Sequence, residues 1–503
     1  MRRAALTLVV ALIGGQLPSA GQTAESPSKP ERWPTGAWAE SMPEAQGIDS
    51  RDLADALEFA RARDLNIHSL LMIRNGVLVL DAYFYPFTRD LRHDVASVTK
   101  SVVSVLTGIA VKDGSLRDVD QTIVSVLRPG APARSASRNA NVRIRDLLSM
   151  QSGFRCGVNA GEPELRDMTA SPDWIRYALD LPVTEDPATR FRYCSPNFHL
   201  LSAAITAGTG RRTLDYARER LFAPLGITDV YWPVDPQGIN HGWGDLQLRP
   251  RDMAKLGLLM LRNGRWADRQ VVDAAWVERS RTAAAKVSHN EDYGAGWWVS
   301  KTVPTLFEAN GRGGQRISVV PGKDVVVVMT GGGFEPGDIG RYLLAAIRAD
   351  TPLPDNSQGR ARLAQALRSI ETRPPARSVA PPGIDGVAGR VYRLEENSLR
   401  IRSFSVTFAE PEAILRLGLT DGAELVQRLG LDGVYRMSED ETGAASAGRG
   451  DWLPSGRFRI EFNRLVRINR YLFDIEFRGD DVIIFASEPT EIGTVTLRGR
   501  AVP

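Results

Sequence analysis

Ser97 and Lys100 stand three residues apart at the head of an apolar run, in "ASVTKSVVSVL" over 96–106. Positions i and i+3 of a helix share a face, one turn apart. A serine in the first turn also sits where unpaired backbone N–H groups and the positive end of the helix dipole can hold an oxyanion. Burial one turn later disfavours the charged form of a lysine, so its amine can take the serine proton. The plain alternative is a helix cap followed by a lysine that snorkels to water. Ser-x-x-Lys does not separate the two, because the chain holds another from Ser26 to Lys29, in a Pro-rich leader.

Two further stretches offer partners. In "RFRYCSPNFHLLSAAI" (190–205), Tyr193 falls between a loop and an apolar helix. There its hydroxyl can face a cleft and, beside an ammonium, carry a proton to a leaving group. A half-buried structural tyrosine is the alternative. In "EANGRGGQRISVV" (308–320), Gly311, Gly313 and Gly314 enter a strand. Glycine lets backbone approach a ligand closely, so an N–H there could complete an oxyanion site, or the run is simply a turn feeding a hairpin.

Something must hold these pieces together. "GIDSRDLADALEFARARD" predicts a helix with Asp49 as its N-cap. "SLLMIRNGVLVLDAYF" predicts a hairpin turning at Asn75-Gly76. The helix of the opening stretch should run from about Ser97 to Lys112 and stop at Asp113-Gly114. Helical patterns dominate 144–263, and strands return at "YGAGWWVS", "RISVV" and "DVVVVMTGG". Strands, helices, then strands predict an α+β unit: an antiparallel sheet built from both ends, flanked by helices, with a helical insert. Residues 351–385 turn Pro- and Arg-rich and predict a linker with a short helix at "ARLAQALRSI". Beyond them Phe404/Val406/Phe408, Phe458/Ile460/Phe462 and Tyr471/Phe473/Ile475/Phe477 alternate with period two. That predicts about eight strands closed into a small lipocalin-like barrel over 386–503, with no catalytic constellation of its own.

The chain has 503 residues, 43% apolar and 24% charged, enough for two or three cores. Its net charge is +3, from 63 basic and 60 acidic residues, with no basic stripe, so no nucleic-acid partner is expected. Arg2 and Arg3, an apolar stretch from Ala4 to Gly15 and small residues at Ser19–Gly21 have the design of a signal peptide, placed at 1–24. An uncleaved anchor is the alternative, and no span is expected in the mature protein, which should be exported to a bacterial periplasm or beyond. In such a compartment Cys156 and Cys194, the two cysteines, permit one bridge, closing a loop of about 40 residues worth roughly 4 kcal/mol. Two separate buried thiols are the alternative. The five histidines, at 68, 93, 199, 241 and 289, lie in no metal spacing and beside no G-x-S-x-G elbow, so neither metal nor cofactor is expected.

Ser-x-x-Lys, then Tyr193 before a helix, then a Gly-rich strand entry resembles the serine β-lactamase and penicillin-binding-protein superfamily. "VRIRDLLSMQSGF" (142–154), "LFAPLGITDV" (221–230), "LRPRDMAKLGLLMLRNGRW" (248–266) and "YGAGWWV" (293–299) resemble stock segments of its class C-like branch, in order. That branch holds β-lactamases, esterases and 6-aminohexanoate-oligomer hydrolases, and the resemblance covers 45–350 of a hydrolase domain placed at 25–350. It implies Ser97 as acylated nucleophile, Lys100 as base and Tyr193 as second proton carrier. It also implies an oxyanion hole of the Ser97 and Arg312 N–H groups. Ser195, Asn197, Trp243, Gly311 and Gly313 are implied at the substrate; Trp243, Trp297 and Trp298 are candidate pocket walls, with aromatic core the more frequent alternative. Two positions depart from the pattern. Tyr-x-Asn is Tyr193-Cys194-Ser195, where Asn197 could stand in, and the cation of the strand motif is Ala309. Losing that cation removes a grip on a substrate carboxylate. It favours an ester or linear-amide hydrolase acting on a small molecule over a β-lactamase or D-Ala-D-Ala peptidase, while the presence of Ser97, Lys100 and Tyr193 together argues against a non-catalytic protein binding cell-wall fragments.

Overall fold

The computed structural model describes residues 33–128, 138–157, 161–376, 388–439, 444–490 and 493–502. The expected signal peptide at 1–24 lies outside them.

Helix α1 (Ser50–Ala62) starts where Asp49 accepts a hydrogen bond from the Arg51 N–H. The hairpin follows as β1 (Ile67–Arg74) and β2 (Val77–Tyr83). Asn75 and Gly76 both take positive φ, as a two-residue turn matched to strand twist requires. These strands join six from the far end of the domain: β3 (Ala285–Lys286), β4 (Glu291–Tyr293), β5 (Trp298–Ser300), β6 (Phe307–Gly311), β7 (Gln315–Val320) and β8 (Val325–Gly331). The sheet order is β2-β1-β8-β7-β6-β5-β4-β3, so the first strand pairs with the last, Met72 opposite Val327.

Both faces of the sheet are covered, which is why β1 and β8 are buried throughout rather than alternating. Leu71, Ile73, Val326 and Val328 face α2 (Val98–Lys112), α3 (Ser195–Thr209) and α4 (Pro250–Leu261). Leu70, Met72, Val325 and Val327 face α1, α5 (Pro336–Ala345) and α6 (Ser357–Glu371). The stretch expected as a linker therefore carries a helix of this core: Leu363, Ala366 and Ile370 of α6 are buried with it. Its apolar stripe had nowhere else to be buried.

The C-terminal strands are β9 (Tyr392–Leu394), β10 (Ile401–Ala409), β11 (Glu412–Leu419), β12 (Glu424–Gly430), β13 (Arg436–Glu439), β14 (Ala445–Trp452), β15 (Phe458–Arg464), β16 (Arg470–Arg478), β17 (Asp481–Glu488) and β18 (Gly493–Ala501). Nine of them close a barrel, where about eight were expected. The surplus comes from strands such as β9, too short to show alternation. A ring of nine alternating strands must hold one parallel seam, and here it joins β12 to β14 at Gly430 and Arg449 while β13 steps outside onto β14. The alternating aromatic residues point inward, with Phe404, Phe458, Phe462 and Phe473 buried. No helix among the described residues is long and apolar enough to cross a membrane.

Candidate active site

Every residue of α2 from Val98 to Ala110 is buried, so Lys100 has no route to water. It is 1% exposed, and its Nζ donates to Ser97 Oγ at 2.9 Å and to the Trp243 carbonyl at 2.9 Å. The amine also lies 4.9 Å from the centroid of the Tyr193 ring. No carboxylate stands within ion-pair distance of it among the described residues. Ser97 occupies the N-cap position, yet its side chain caps nothing. The cap-and-snorkel alternative is therefore excluded by geometry, because hydroxyl and amine face each other.

The backbone before Ser97 is held under strain. Ala96 has φ +47°, which L-residues other than Asn and Asp seldom adopt, and its N–H donates to Asp94 Oδ1 at 2.8 Å. From the other side, the end of β6 presses on this segment. A Cβ added at Gly311 would lie 2.6 Å from the Val95 carbonyl oxygen, so only glycine lets β6 end this close to the segment before Ser97. Ala309, two residues earlier on β6, is wholly buried.

Tyr193 is half-buried just before α3, its ring stacked on Trp298 at 6.2 Å. Cys194 is bonded to Cys156, with their Cα atoms 5.2 Å apart, so the bridge pins the loop carrying Tyr193 to the loop after Phe154. Ser195 lines the cleft, and its Oγ is buried without a hydrogen-bond partner among the described residues. Asn197 corrects an expectation: it is fully buried beneath the cleft, its Nδ2 against Met150 Sδ at 3.8 Å, and is not part of the lining. Trp297 likewise belongs to the core, edge-on to Phe307 at 5.3 Å. A helical Asn two residues past Ser195 and a Trp beside Trp298 must point away from their neighbours' side.

The cleft holds about 390 Å³. Its floor is Ala96, Ser97, Ser195, Trp243 and Gly244, and Glu162, Leu165 and Arg312 stand at its sides. The remaining wall was missed by sequence reasoning. Arg464, Arg467 and Asn469, from the β15–β16 turn of the barrel, close the cleft opposite Ser97. The turn is fastened there. Arg467 Nη1 donates to Asp94 Oδ2 at 3.1 Å and to Asp245 Oδ1 at 3.2 Å, and the Asp94 N–H donates to the Val466 carbonyl at 3.1 Å. Arg312 Nη1 reaches Thr490 Oγ1 at 2.8 Å, between β17 and β18. Burial, with Asp245 nearby, raises the Asp94 carboxyl above its usual range against the pull of Arg467. Burial opposes charge on Asp245 too, but hydrogen bonds from His241 and Arg467 outweigh it and hold that carboxyl low. Arginines spaced by three in "RLVRINR" were the available signal, and inside a strand–turn–strand pattern nothing in them indicates a destination.

The histidines serve elsewhere. His199 Nε2 bonds Asp235 at 2.9 Å, His241 Nδ1 bonds Asp245 at 2.8 Å, and His68 and His93 bond each other at 2.7 Å. Among the described residues no three His, Cys, Asp or Glu side chains group as metal ligands would.

Comparison with known proteins agrees with this architecture. Residues 60–350 match the family described as Beta-lactamase. The chain is 23% identical over 343 residues to the 6-aminohexanoate-dimer hydrolase of Paenarthrobacter ureafaciens, covering 63% of this chain and 83% of that one. It is 31% identical over 150 residues to the D-aminopeptidase of Brucella anthropi, covering 28% and 26%. The solved structure of a candidate 6-aminohexanoate-dimer hydrolase from Bacillus anthracis superimposes with a TM-score of 0.51 at 16% identity, over 68% of this chain and 90% of that one, a likeness of fold.

Proposed function

The chain belongs to the beta-lactamase family and is a serine hydrolase related to amide and ester hydrolases, and from that premise we propose that it cleaves an ester or a linear amide through an acyl-enzyme on Ser97. The carrying observation is the contact at 2.9 Å between Lys100 Nζ and Ser97 Oγ, made by a buried lysine with no carboxylate beside it among the described residues. Lys100, with Tyr193 over it, takes the Ser97 proton as Oγ bonds the substrate carbonyl carbon. The carbonyl oxygen, now an oxyanion, is assigned to the N–H groups of Ser97 and Arg312, a reading supported by the close approach of Gly311 to Val95 and Ala96. As the carbon–oxygen or carbon–nitrogen bond breaks, Tyr193 passes a proton to the leaving alcohol or amine. Water then attacks the acyl carbon and restores Ser97.

The buried Ala309 offers no cation to a substrate carboxylate, and Arg312 is turned to Thr490, which favours linear esters and amides over β-lactams and D-Ala-D-Ala peptides. The 6-aminohexanoate-dimer hydrolase likeness supports the amide arm of this reading. The Cys156–Cys194 bridge and the N-terminal segment at 1–24 support work outside the cytoplasm. A fluorophosphonate probe should label the protein on Ser97 and fail on Ser97→Ala, which should also lose p-nitrophenyl acetate hydrolysis. Equal labelling of the two proteins would refute the nucleophile, and a non-catalytic binding protein would then be the better reading. Faster turnover of nitrocefin than of any ester or linear amide would refute the substrate class.

A further inference from the structure

The barrel has a second cavity, at its mouth, of about 420 Å³. Leu399, Ile401, Leu417, Leu425, Tyr471 and Phe473 are among the side chains that line it. Ile401, Leu417 and Phe473 belong to the buried barrel core, whereas Leu399, Leu425 and Tyr471 are half-buried at the rim. Along β15 the inward positions are Phe458, Ile460, Phe462 and then Arg464, the last before the turn. Arg464 lines this cavity and the catalytic cleft alike. One residue thus borders both the Ser97 cleft and an apolar chamber.

The backbone at Arg464 is held in place. Arg467, three residues on, is tied to Asp94 and Asp245, and the Arg467 N–H donates to the Arg464 carbonyl at 2.8 Å. Tyr471 stacks on Phe462 at 4.7 Å and shapes the chamber's near wall. A chamber of this size and lining suits an aliphatic chain or an aromatic ring, with a polar group at its entrance setting direction.

We infer that the barrel mouth is the tail subsite of this active site: the substrate carries an apolar chain or ring that passes Arg464 into the barrel while its carbonyl is presented to Ser97. This rests on the hydrolase reading above and names the substrate class within it. That the cavity and the cleft share Arg464 as a common wall is what selects a substrate tail as occupant, rather than an unrelated lipid or a second copy of the chain.

The test uses the full chain and p-nitrophenyl esters from acetate to decanoate. Each methylene buried should raise kcat/KM roughly threefold to fourfold until the chamber is full. Leu425→Trp, which fills the chamber, should lower the octanoate-to-acetate ratio at least about tenfold, the value of a few lost methylenes. Tyr471→Ala, which enlarges it, should move the optimum to longer chains, and Leu399→Trp replaces Leu425→Trp if that variant does not fold. Calorimetric titration of decanoate into Ser97→Ala separates this inference from the hydrolase reading. Binding that Leu425→Trp abolishes supports the subsite whatever Ser97 does. A flat chain-length profile unchanged by all three variants overturns it. So does a dimer that Leu425→Trp breaks without altering the profile, since the mouth would then belong to a second copy.

Discussion

Lys100 on the floor of the cleft is 1% exposed and bonds a hydroxyl and a carbonyl, with no carboxylate in reach among the described residues. Arg467 on the rim is one-third exposed and bonds two carboxylates, Asp94 and Asp245. Both are basic side chains at one cleft, set in opposite surroundings. A buried amine hydrogen-bonded to a serine hydroxyl is placed to act on it as the proposed base. A guanidinium between two carboxylates cannot titrate, and its planar fork fixes geometry instead. Their burial opposes the Arg467 charge, yet Asp94 and Asp245 outweigh it and hold the guanidinium above its usual range. The proposed chemistry thus belongs to the floor, while the ion pairs of the rim fix placement. The rim's grip on Asp94 reaches the floor, because the same carboxylate holds the strained Ala96 ahead of Ser97.

Breaking the floor should have the largest effect. Lys100→Met, close in volume, should lower kcat for p-nitrophenyl acetate by roughly 10³-fold with an unchanged circular dichroism spectrum. Near-normal turnover would remove Lys100 from the reaction.

The next effect sharpens how the rim is supported from below. His93 Nδ1 bonds the Asp94 carbonyl at 2.7 Å, and burial holds His93 down at about 4 and His68, which His93 also opposes, well below the usual range. Folding keeps these rings neutral while the unfolded chain protonates near pH 6.5. Their stability is therefore complete above pH 6.5 and is lost as pH falls toward 4, roughly 3 kcal/mol for His93. Urea unfolding at pH 7 and 4.5 should show a larger loss in the native protein than in His93→Asn. Equal losses would mean that the ring is not kept neutral.

The smallest effect belongs to the rim itself. Arg467→Ala should cost about 1–2 kcal/mol, because removing it leaves two carboxylates facing each other in a partly screened site. It should lower kcat/KM about tenfold through Asp94. Adding Asp94→Asn should recover part of both losses, a coupling read from the double-mutant cycle. Additive losses would show that the rim acts on Ser97 by some other route.

Much of the floor was legible before the fold. The helix expected from Ser97 to Lys112 is Val98–Lys112, the turn lies at Asn75-Gly76, and Asp49 caps α1. Each is a local decision made by capping, turn chemistry or periodicity. The rim was not legible. Arg467 and Asp94 are 373 residues apart, and no pattern within a strand–turn–strand unit states which surface the turn will meet. Asn197 and Trp297 failed for a related reason. Their residue types suit a pocket, but the face each occupies follows from how α3 and the 295–300 segment pack on α2, where Ser101 and Ser104 bond the carbonyls of Gly296 and Ala295.

By itself, then, the sequence determined the helix that presents Ser97, the lysine one turn behind it and the alternating strands of the barrel, because helix and strand periods are set within a few residues. Tertiary structure alone decided that Lys100 is sealed from water and that a turn of the barrel, with Arg464 and Arg467, walls the cleft. Burial and long-range contact are properties of packed surfaces, and those exist only once the chain has closed on itself.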